Sequence, residues 1–140
     1  MSQENVEIVR LAGEAFHSSI FDPGALSEEE FLEIFDPEIT FDLTRTNPEA
    51  RVYRGRDDVS EVLEQWVQTW DEYEVETLEL IDAGPDRVVS VIRERGKLPG
   101  SEAWVEHVRG VVWTLRGQRL ARYEEYQDRS QALQAAGLAE

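Results

Sequence analysis

The second half of the chain alternates apolar and polar residues with a period of two, which is the pattern of β-strands. Four such segments follow one another at 74–82, 86–97, 103–115 and 119–127. Turn-forming residues separate them, and the last two are joined only by Gly117-Gln118. Four consecutive strands with such short connections predict an antiparallel meander, and a sheet of this kind needs other elements to cover it.

The first half of the chain supplies elements that can cover the sheet. Apolar residues recur there at three- and four-residue spacing, which predicts helices, while one segment alternates as a strand. In chain order we expect a helix capped by Ser2, a short helix opened by the capping box 27–30, a strand through Ile39, Phe41 and Leu43, a helix from Asp57 or Asp58, and a short closing helix ended by Gly137. Helices followed by a meander predict an α+β fold, and the length suits a single domain, 1–140.

The charge of the chain argues against several partners. There are 30 acidic and 14 basic residues, and the net charge of -16 repels nucleic acid and anionic membrane surfaces. There is no cysteine, and the histidines His17 and His107 are far apart, so no disulfide and no metal site are expected. No glycine-rich phosphate loop occurs, and no cofactor is expected. Residues 1–5 lack the regions of a signal peptide, which favours a cytoplasmic location.

The last strand carries a carboxylate on an otherwise apolar face. Tyr123 and Glu125 are two residues apart, so they share one face of the sheet. A two-residue loop at 117–118 would place Val112 opposite Tyr123 and Gly110 opposite Glu125. A carboxylate against apolar walls can serve as a general acid or base, which makes Glu125 a candidate catalytic residue. The alternative is that Glu125 only pairs with an arginine in a partly solvated groove.

The preceding hairpin predicts which residues join that carboxylate. With a turn at 99–100, Arg95 lies opposite Trp104 and Arg93 lies opposite Glu106, all on the same face as the carboxylate. Arg93 and Glu106 are expected to form a cross-strand salt pair.

The other face of the meander is also apolar. It carries five large side chains that a monomer seldom leaves in water: Val111, Trp113, Leu115, Leu120 and Tyr126. We therefore expect these five side chains to lie on the outer side of the sheet and to form a homodimer contact, while the face that carries Glu125 meets the helices. His107 falls on the same side, which favours a surface or interface role for this histidine.

Several segments resemble one family when they are taken together and in order. They are Tyr53-Arg54-Gly55 before a tryptophan-bearing helix, Ile81-Asp82-Ala83-Gly84, Val112-Trp113-Thr114-Leu115-Arg116, and the ending from Asp128 to Leu138. Over nearly the whole chain they are similar to the SnoaL-like branch of the nuclear transport factor 2-like superfamily. The resemblance implies a cone-shaped α+β domain with N-terminal helices on a curved, mainly antiparallel sheet and a pocket between the layers. Members include polyketide cyclases, ketosteroid isomerases, dehydratases, limonene epoxide hydrolases and non-catalytic modules, so fold alone does not decide function.

The resemblance also marks individual residues. Residues 123–128 are similar to an aromatic-x-acid-Tyr-x-Asp segment of limonene epoxide hydrolases, whose catalytic acid falls on Glu125, close to where SnoaL-like cyclases carry an acid/base carboxylate. Residues 94–97 resemble the hydrolase segment Glu-Arg-x-Asp, so its arginine falls on Arg95. Lys97 replaces the second acid, which removes the two-carboxylate activation of water and argues against epoxide hydrolysis.

These observations lead to two hypotheses of different classes. The first is a cofactor-independent enzyme that isomerises, dehydrates or cyclises a small, mostly apolar carbonyl compound. Glu125 would shuttle the proton and Arg95 would stabilise the oxyanion, while the ligand would contact Tyr53, Trp66, Trp104 and Tyr123. The second is a non-catalytic ligand-binding or dimerisation module of the same fold, in which the aromatic residues belong to the core and Tyr53 anchors a loop. An enclosed cavity favours the enzyme, and a filled core favours the module.

Overall fold

The computed structural model describes residues 2–18, 29 and 33–138. In this part of the chain the helices are α1 (Ser2–Ser18), α2 (Gly55–Gln68) and α3 (Arg129–Ala135). The strands are β1 (Phe35–Asp42), β2 (Val52–Arg54), β3 (Glu72–Asp82), β4 (Arg87–Lys97), β5 (Val105–Arg116) and β6 (Arg119–Tyr126). The short helix predicted at the 27–30 capping box lies mostly outside the described residues. None of the helices within these ranges is long and apolar enough to cross a membrane.

The six described strands form one mixed sheet. Its order is β2-β1-β6-β5-β4-β3, with β1 parallel to β6 and every other neighbouring pair antiparallel. The predicted meander from β3 to β6 is confirmed, and so is the α+β class. The predicted turn is confirmed as well, since Gly117 and Gln118 have φ angles of 59° and 66°, as a tight two-residue hairpin turn requires.

Helices α1 and α2 cover one face of the sheet, which we call the inner face. Val9 and Ala12 of α1 and Val59 of α2 are buried in the same core as its side chains, which include Val88, Val111, Trp113, Leu115 and Leu120. On α1, the Asn5 side chain donates a 2.9 Å hydrogen bond to the carbonyl of Pro85, which ties the helix to the turn between β3 and β4. This arrangement leaves the core on the inner face.

The predicted dimer face is therefore wrong. Val111 and Leu120 are fully buried within one chain, and Trp113 and Leu115 are each 4% exposed, so these side chains cannot form a surface for a partner. Tyr126 lies on the opposite face, which we call the outer face, and packs near α3. Both faces of the meander are apolar, and the alternation pattern could not tell which one the helices cover.

Helix α3 covers part of the outer face. Its alanine and leucine side chains pack on Val89 and Val112. Gly110 permits the close approach of this helix, because a Cβ atom there would lie 2.6 Å from the carbonyl oxygen of Asp128. The side chain of Asp128 accepts a 2.9 Å hydrogen bond from the backbone N–H of Gln131 and so caps the helix.

A bulge at Ala121 changes the predicted register of the last hairpin. Leu115 pairs with Leu120, but Thr114 pairs with Arg122, so Ala121 is an extra residue on β6. Its carbonyl accepts a 3.3 Å hydrogen bond from the hydroxyl of Thr40 on β1. Beyond the bulge every pairing is shifted by one residue, and a one-residue shift moves each side chain to the other face.

The bulge places the last strand's carboxylate on the inner face. Trp113 lies opposite Tyr123, and Val111 lies opposite Glu125. The predicted partners, Val112 and Gly110, are therefore wrong. Consequently Glu125 faces the core under the helices.

The hairpin between β4 and β5 is shifted by two residues, which leaves the faces unchanged. Glu106 lies opposite Arg95, two residues from its predicted partner Arg93. Arg93 instead forms an ion pair with Glu76 of β3. The predicted salt pair between Arg93 and Glu106 is therefore wrong.

Candidate functional site

A cavity of about 410 Å³ lies between the inner face of the sheet and the helices. Strands β3 to β6, helix α2 and the residues that follow β1 form most of its wall. Most of the lining residues are aromatic or aliphatic. Apart from tyrosines, the lining residues with polar side chains are Thr46, Asn47, Thr77, Ser90, Glu94, His107, Arg109 and Glu125. A largely apolar cavity with a few convergent polar groups is typical of a small-molecule site.

Glu125 lies on this wall and is only 9% exposed. One of its carboxylate oxygens, Oε2, accepts a 2.5 Å hydrogen bond from the hydroxyl of Thr46. The other, Oε1, accepts a 3.0 Å hydrogen bond from the hydroxyl of Tyr123. These two hydroxyl groups are neutral donors, so they orient the carboxylate without neutralising its charge.

Glu94 of β4 is a second carboxylate on the same wall. It accepts a 2.7 Å hydrogen bond from the hydroxyl of Tyr73 on β3. Burial raises the pKa of Glu94 from its usual 4.5 to about 7, and the negative charge of Glu125 adds to this effect. The Tyr73 hydrogen bond and the charge of Arg109 oppose the shift without cancelling it. The cavity therefore contains a carboxyl group that can gain or lose a proton near neutral pH.

Arg109 of β5 is the cation of this wall. Its Nε atom is 3.8 Å from Oε1 of Glu94, which is a long ion pair. Its Nη1 atom donates a 2.7 Å hydrogen bond to the side chain of Gln127. Gln127 in turn donates a 2.8 Å hydrogen bond to the carbonyl of Arg45, the residue before Thr46. Gln127 thus links the cation to the segment whose hydroxyl holds Glu125.

Two groups of three aromatic rings stand around the carboxylates. In the first, Trp66 is nearly perpendicular to Trp70 and to Tyr73, at centroid distances of 5.6 and 6.1 Å. The second consists of Phe41, Trp113 and Tyr123, in which Phe41 stacks on Tyr123 at 4.4 Å. Each group contributes the tyrosine that donates to one carboxylate. Burial raises the pKa of both tyrosines, so they stay protonated as donors.

The structure brings only part of the predicted site together. Glu125, Tyr123 and Trp66 line the cavity. Arg95 and Trp104 do not, because they lie on the outer face, where the Arg95 guanidinium stands 4.0 Å from the centre of the Trp104 ring. The expectation that Arg95 shares a site with the last strand's carboxylate is therefore wrong.

The expectation that Tyr53 contacts the ligand also changes. Tyr53 of β2 packs against the core rather than lining the cavity, and the Arg51 guanidinium lies 4.5 Å from its ring centre. Lys97, at the position of the second hydrolase acid, pairs with Glu72 at 3.1 Å. The second carboxylate of the cavity is instead Glu94.

Sequence reasoning missed Glu94, Arg109 and Tyr73, and it placed His107 away from the site that it lines. A signal for two of them exists, because Glu94 and Arg109 interrupt an otherwise apolar face of β4 and β5, as Glu125 does on β6. The same criterion that selected Glu125 would have selected them. Because the bulge on β6 was not foreseen, sequence reasoning placed Glu125 on the face opposite to Glu94 and Arg109.

Solved structures share this fold at low sequence identity. Bal32a, from a soil-derived mobile gene cassette, has a TM-score of 0.72 and 18% identity, over 89% of each chain. A hypothetical protein of Catenulispora acidiphila with a ketosteroid isomerase-like fold, in complex with trimethylamine, has a TM-score of 0.68 and 17% identity, over 94% of this chain and 93% of that chain. TerC co-crystallised with polyporic acid has a TM-score of 0.68 and 18% identity, over 95% of this chain and 97% of that chain. At such identities the likeness shows the fold alone.

Sequence comparison places the chain in one family. No curated protein matches it. Residues 14–123 match the SnoaL-like domain family, and this match spans most of the chain. The mixed sheet and the helices on its inner face agree with the fold of the similar structures. The chain therefore belongs to the SnoaL-like domain family and has the nuclear transport factor 2-like fold.

Proposed function

We propose that this protein is a cofactor-independent acid–base enzyme that isomerises, dehydrates or cyclises a small, mostly apolar carbonyl compound. The observation that carries the proposal is Glu125, a nearly buried carboxylate on the wall of a 410 Å³ apolar cavity with neutral hydroxyl partners. Such a group can take a proton from the carbon beside a carbonyl and return it to another atom.

A division of roles between the two carboxylates supports this chemistry. Glu125 is the proton shuttle. Glu94 has a pKa of about 7, so it can accept a proton from the ligand or return one near neutral pH. Arg109 takes the role that sequence reasoning gave to Arg95, because its charge lies beside Glu94 in the same cavity. Two carboxyl groups with different surroundings are a recurring basis for acid–base catalysis.

Similar structures are consistent with a small-molecule function. Two of them were crystallised with small organic molecules, trimethylamine in one and polyporic acid in the other. These molecules differ in charge and size. They support a small-molecule function, and they leave the ligand of this cavity to be identified by experiment.

The test measures exchange of carbon-bound protons, which needs no knowledge of the natural substrate. A panel of small cyclic and aromatic ketones is incubated with the protein in D2O, and loss of the α-proton signal is followed by NMR. Glu125→Gln should slow exchange by about 100- to 10,000-fold while the protein stays folded. Glu74→Gln is the matched control, because Glu74 pairs with Arg95 on the outer face at 2.8 Å. Equal exchange rates for the parent and Glu125→Gln would refute the assignment.

The alternative is a non-catalytic ligand-binding module of the same fold. It is favoured by the two hydroxyl groups that already satisfy Glu125, since a structural carboxylate needs such donors. In that case ketones would bind with no exchange above the rate in buffer. Glu125→Gln would then change stability or affinity and leave exchange at the buffer rate.

We also propose that the protein forms a homodimer through the exposed part of the outer face. Val108 and Trp104 there are 45% and 39% exposed, which is high for large apolar side chains. Light scattering should give twice the 16.1 kDa chain mass. Val108→Asp should reduce the particle to a monomer, and Leu11→Asp, which changes an exposed leucine of α1, is the control. A monomer in the parent protein would contradict this proposal.

The remaining partner predictions rest on charge. A net charge of -16 opposes binding to nucleic acid and to anionic membranes. A cytoplasmic location stays a prediction of the sequence, which fluorescence microscopy of a tagged protein would check.

A further inference from the structure

The charge balance of the cavity points to the class of its ligand. We infer that the molecule bound there carries a positively charged nitrogen, protonated or quaternary, on its apolar body. This inference rests on the proposed function and narrows its ligand class, from an apolar carbonyl compound to one that is also a cation.

Negative groups outnumber positive groups on the described cavity wall. Among the described lining residues there are two carboxylates and one guanidinium. That guanidinium, Arg109, is 3.8 Å from Glu94 and donates a shorter 2.7 Å hydrogen bond to Gln127. The hydrogen-bond partners of Glu125 are neutral hydroxyl groups. Once both carboxylates are ionised, the cavity has a net negative charge that a monocationic ligand would offset.

Aromatic rings form the cavity wall beside Glu94. Tyr73 donates its hydroxyl hydrogen bond to this carboxylate, and its ring belongs to the group with Trp66 and Trp70. Trp66 stands at 73° to Trp70 and at 89° to Tyr73, so the three rings form a corner. Ring faces carry partial negative charge and attract alkylated ammonium groups. Cations are also attracted from a distance, because the whole chain has a net charge of -16.

A cation bound in the cavity should also displace the proton of Glu94. The ionisable side chains that face it are Tyr73 from β3, His107 and Arg109 from β5, and Glu125 from β6. A cation in the cavity favours the ionised form of Glu94, whose pKa is about 7. Binding should therefore release a proton near neutral pH, and affinity should rise as the pH increases through this value.

The test compares choline with 3,3-dimethylbutan-1-ol, its uncharged isostere, by isothermal titration calorimetry at pH 8. The two molecules have nearly the same shape, and the charge of choline does not titrate. Choline should bind at least about tenfold more tightly, which is the effect of lowering the pKa of one neighbouring carboxyl by about one unit. Equal affinity, tighter binding of the alcohol, or no binding of choline at its highest usable concentration would overturn the inference.

Proton release identifies the group that responds. Choline titrations of the parent protein near pH 7, in two buffers with different ionisation enthalpies, should show release of a fraction of a proton per choline. Glu94→Gln should abolish this release and weaken choline binding towards that of the alcohol. His107→Gln is the control, because His107 is the side chain directly opposite Glu94 on β5, and it should keep most of the release. Proton release that persists in Glu94→Gln, or none in the parent, would contradict the inference.

The outcome is separable from that of the proposed function. Choline has no carbonyl group and is not turned over, so its binding reports only on the charge preference of the cavity. Ketone exchange without choline binding would retain the enzyme and reject the cationic ligand. Choline binding without ketone exchange would retain the ligand class and reject the acid–base chemistry.

Discussion

The hydroxyl of Tyr73 donates a 2.7 Å hydrogen bond to Glu94 across neighbouring strands of the inner face. The pair lies diagonally in the sheet, because Tyr73 is opposite Gly96 and Glu94 is opposite Val75. A second tyrosine, Tyr123, makes the equivalent bond to the other cavity carboxylate. Each carboxylate therefore accepts a hydrogen bond from a tyrosine whose ring also forms part of the cavity wall.

Tyr73→Phe should raise the pKa of Glu94 above about 7, because it removes a hydrogen bond that favours the ionised carboxylate. A pH titration of the Glu94 side-chain carbon by NMR would measure the change. The variant should also be less stable by about 0.5–1.5 kcal/mol, the usual net worth of one hydrogen bond. Tyr126→Phe is the control, since its hydroxyl contacts Glu124 only at 3.5 Å. An unchanged or lower pKa in Tyr73→Phe would show that this bond does not tune Glu94.

Glu94→Gln should stabilise the protein at alkaline pH. The pKa of Glu94 is about 7 in the folded protein and near 4.5 when unfolded, so the folded state binds the extra proton between these values. The stability gained from binding this proton is complete below about pH 4.5 and is lost as the pH rises through about 7. Urea unfolding at pH 8 should therefore show the variant more stable than the parent by about 1–3 kcal/mol.

The same comparison at pH 5 tests the sign of this effect. There the parent's Glu94 is largely protonated when folded, so the advantage of the variant should shrink. Glu106→Gln, on an exposed site of the outer face, should show no such dependence. An advantage of Glu94→Gln that grows towards acid pH would mean that Glu94 is stabilised as the anion.

Gly110→Ala should destabilise the protein, because the new Cβ atom would lie 2.6 Å from both the Cβ of Ala132 and the carbonyl oxygen of Asp128. Overpacking of this kind costs about 1–3 kcal/mol. Adding Ala132→Gly should recover only part of the loss, since the backbone contact with Asp128 remains. Thermal unfolding of the single and double variants would measure both effects, and a parent-like Gly110→Ala would show that α3 shifts freely.

Chelators should change neither stability nor ketone exchange. The part of the chain that the structure describes has no group of three His, Asp or Glu side chains arranged to hold a metal ion, and the chain has no cysteine. The melting temperature with and without EDTA is the measurement. A drop with EDTA that is restored by a divalent cation would disprove the prediction.

The sequence alone was enough to predict α1, β1, α2, the meander from β3 to β6 and α3 in their order, but it missed the short strand β2. Alternation over β3 to β6 and the Gly117-Gln118 turn report local conformation, so they could be recognised without tertiary contacts. The same holds for the closing helix, whose cap at Asp128 and positive φ angle at Gly137 are properties of neighbouring residues. These features also supported the family resemblance that the comparisons confirm.

Only the tertiary structure decided which charged residues share the cavity. The extra residue at Ala121 is accommodated by a bulge and a hydrogen bond from Thr40, a residue 81 positions away in the chain. The alternation of apolar and polar residues does not reveal such an insertion. One extra residue in a strand nevertheless turns every later side chain to the other face of the sheet. For this reason Glu125 lines the same cavity as Glu94 and Arg109, while Arg95 lies on the other face of the sheet. The identity of the covered face likewise depends on where α1 and α2 pack, which is a contact between distant parts of the chain.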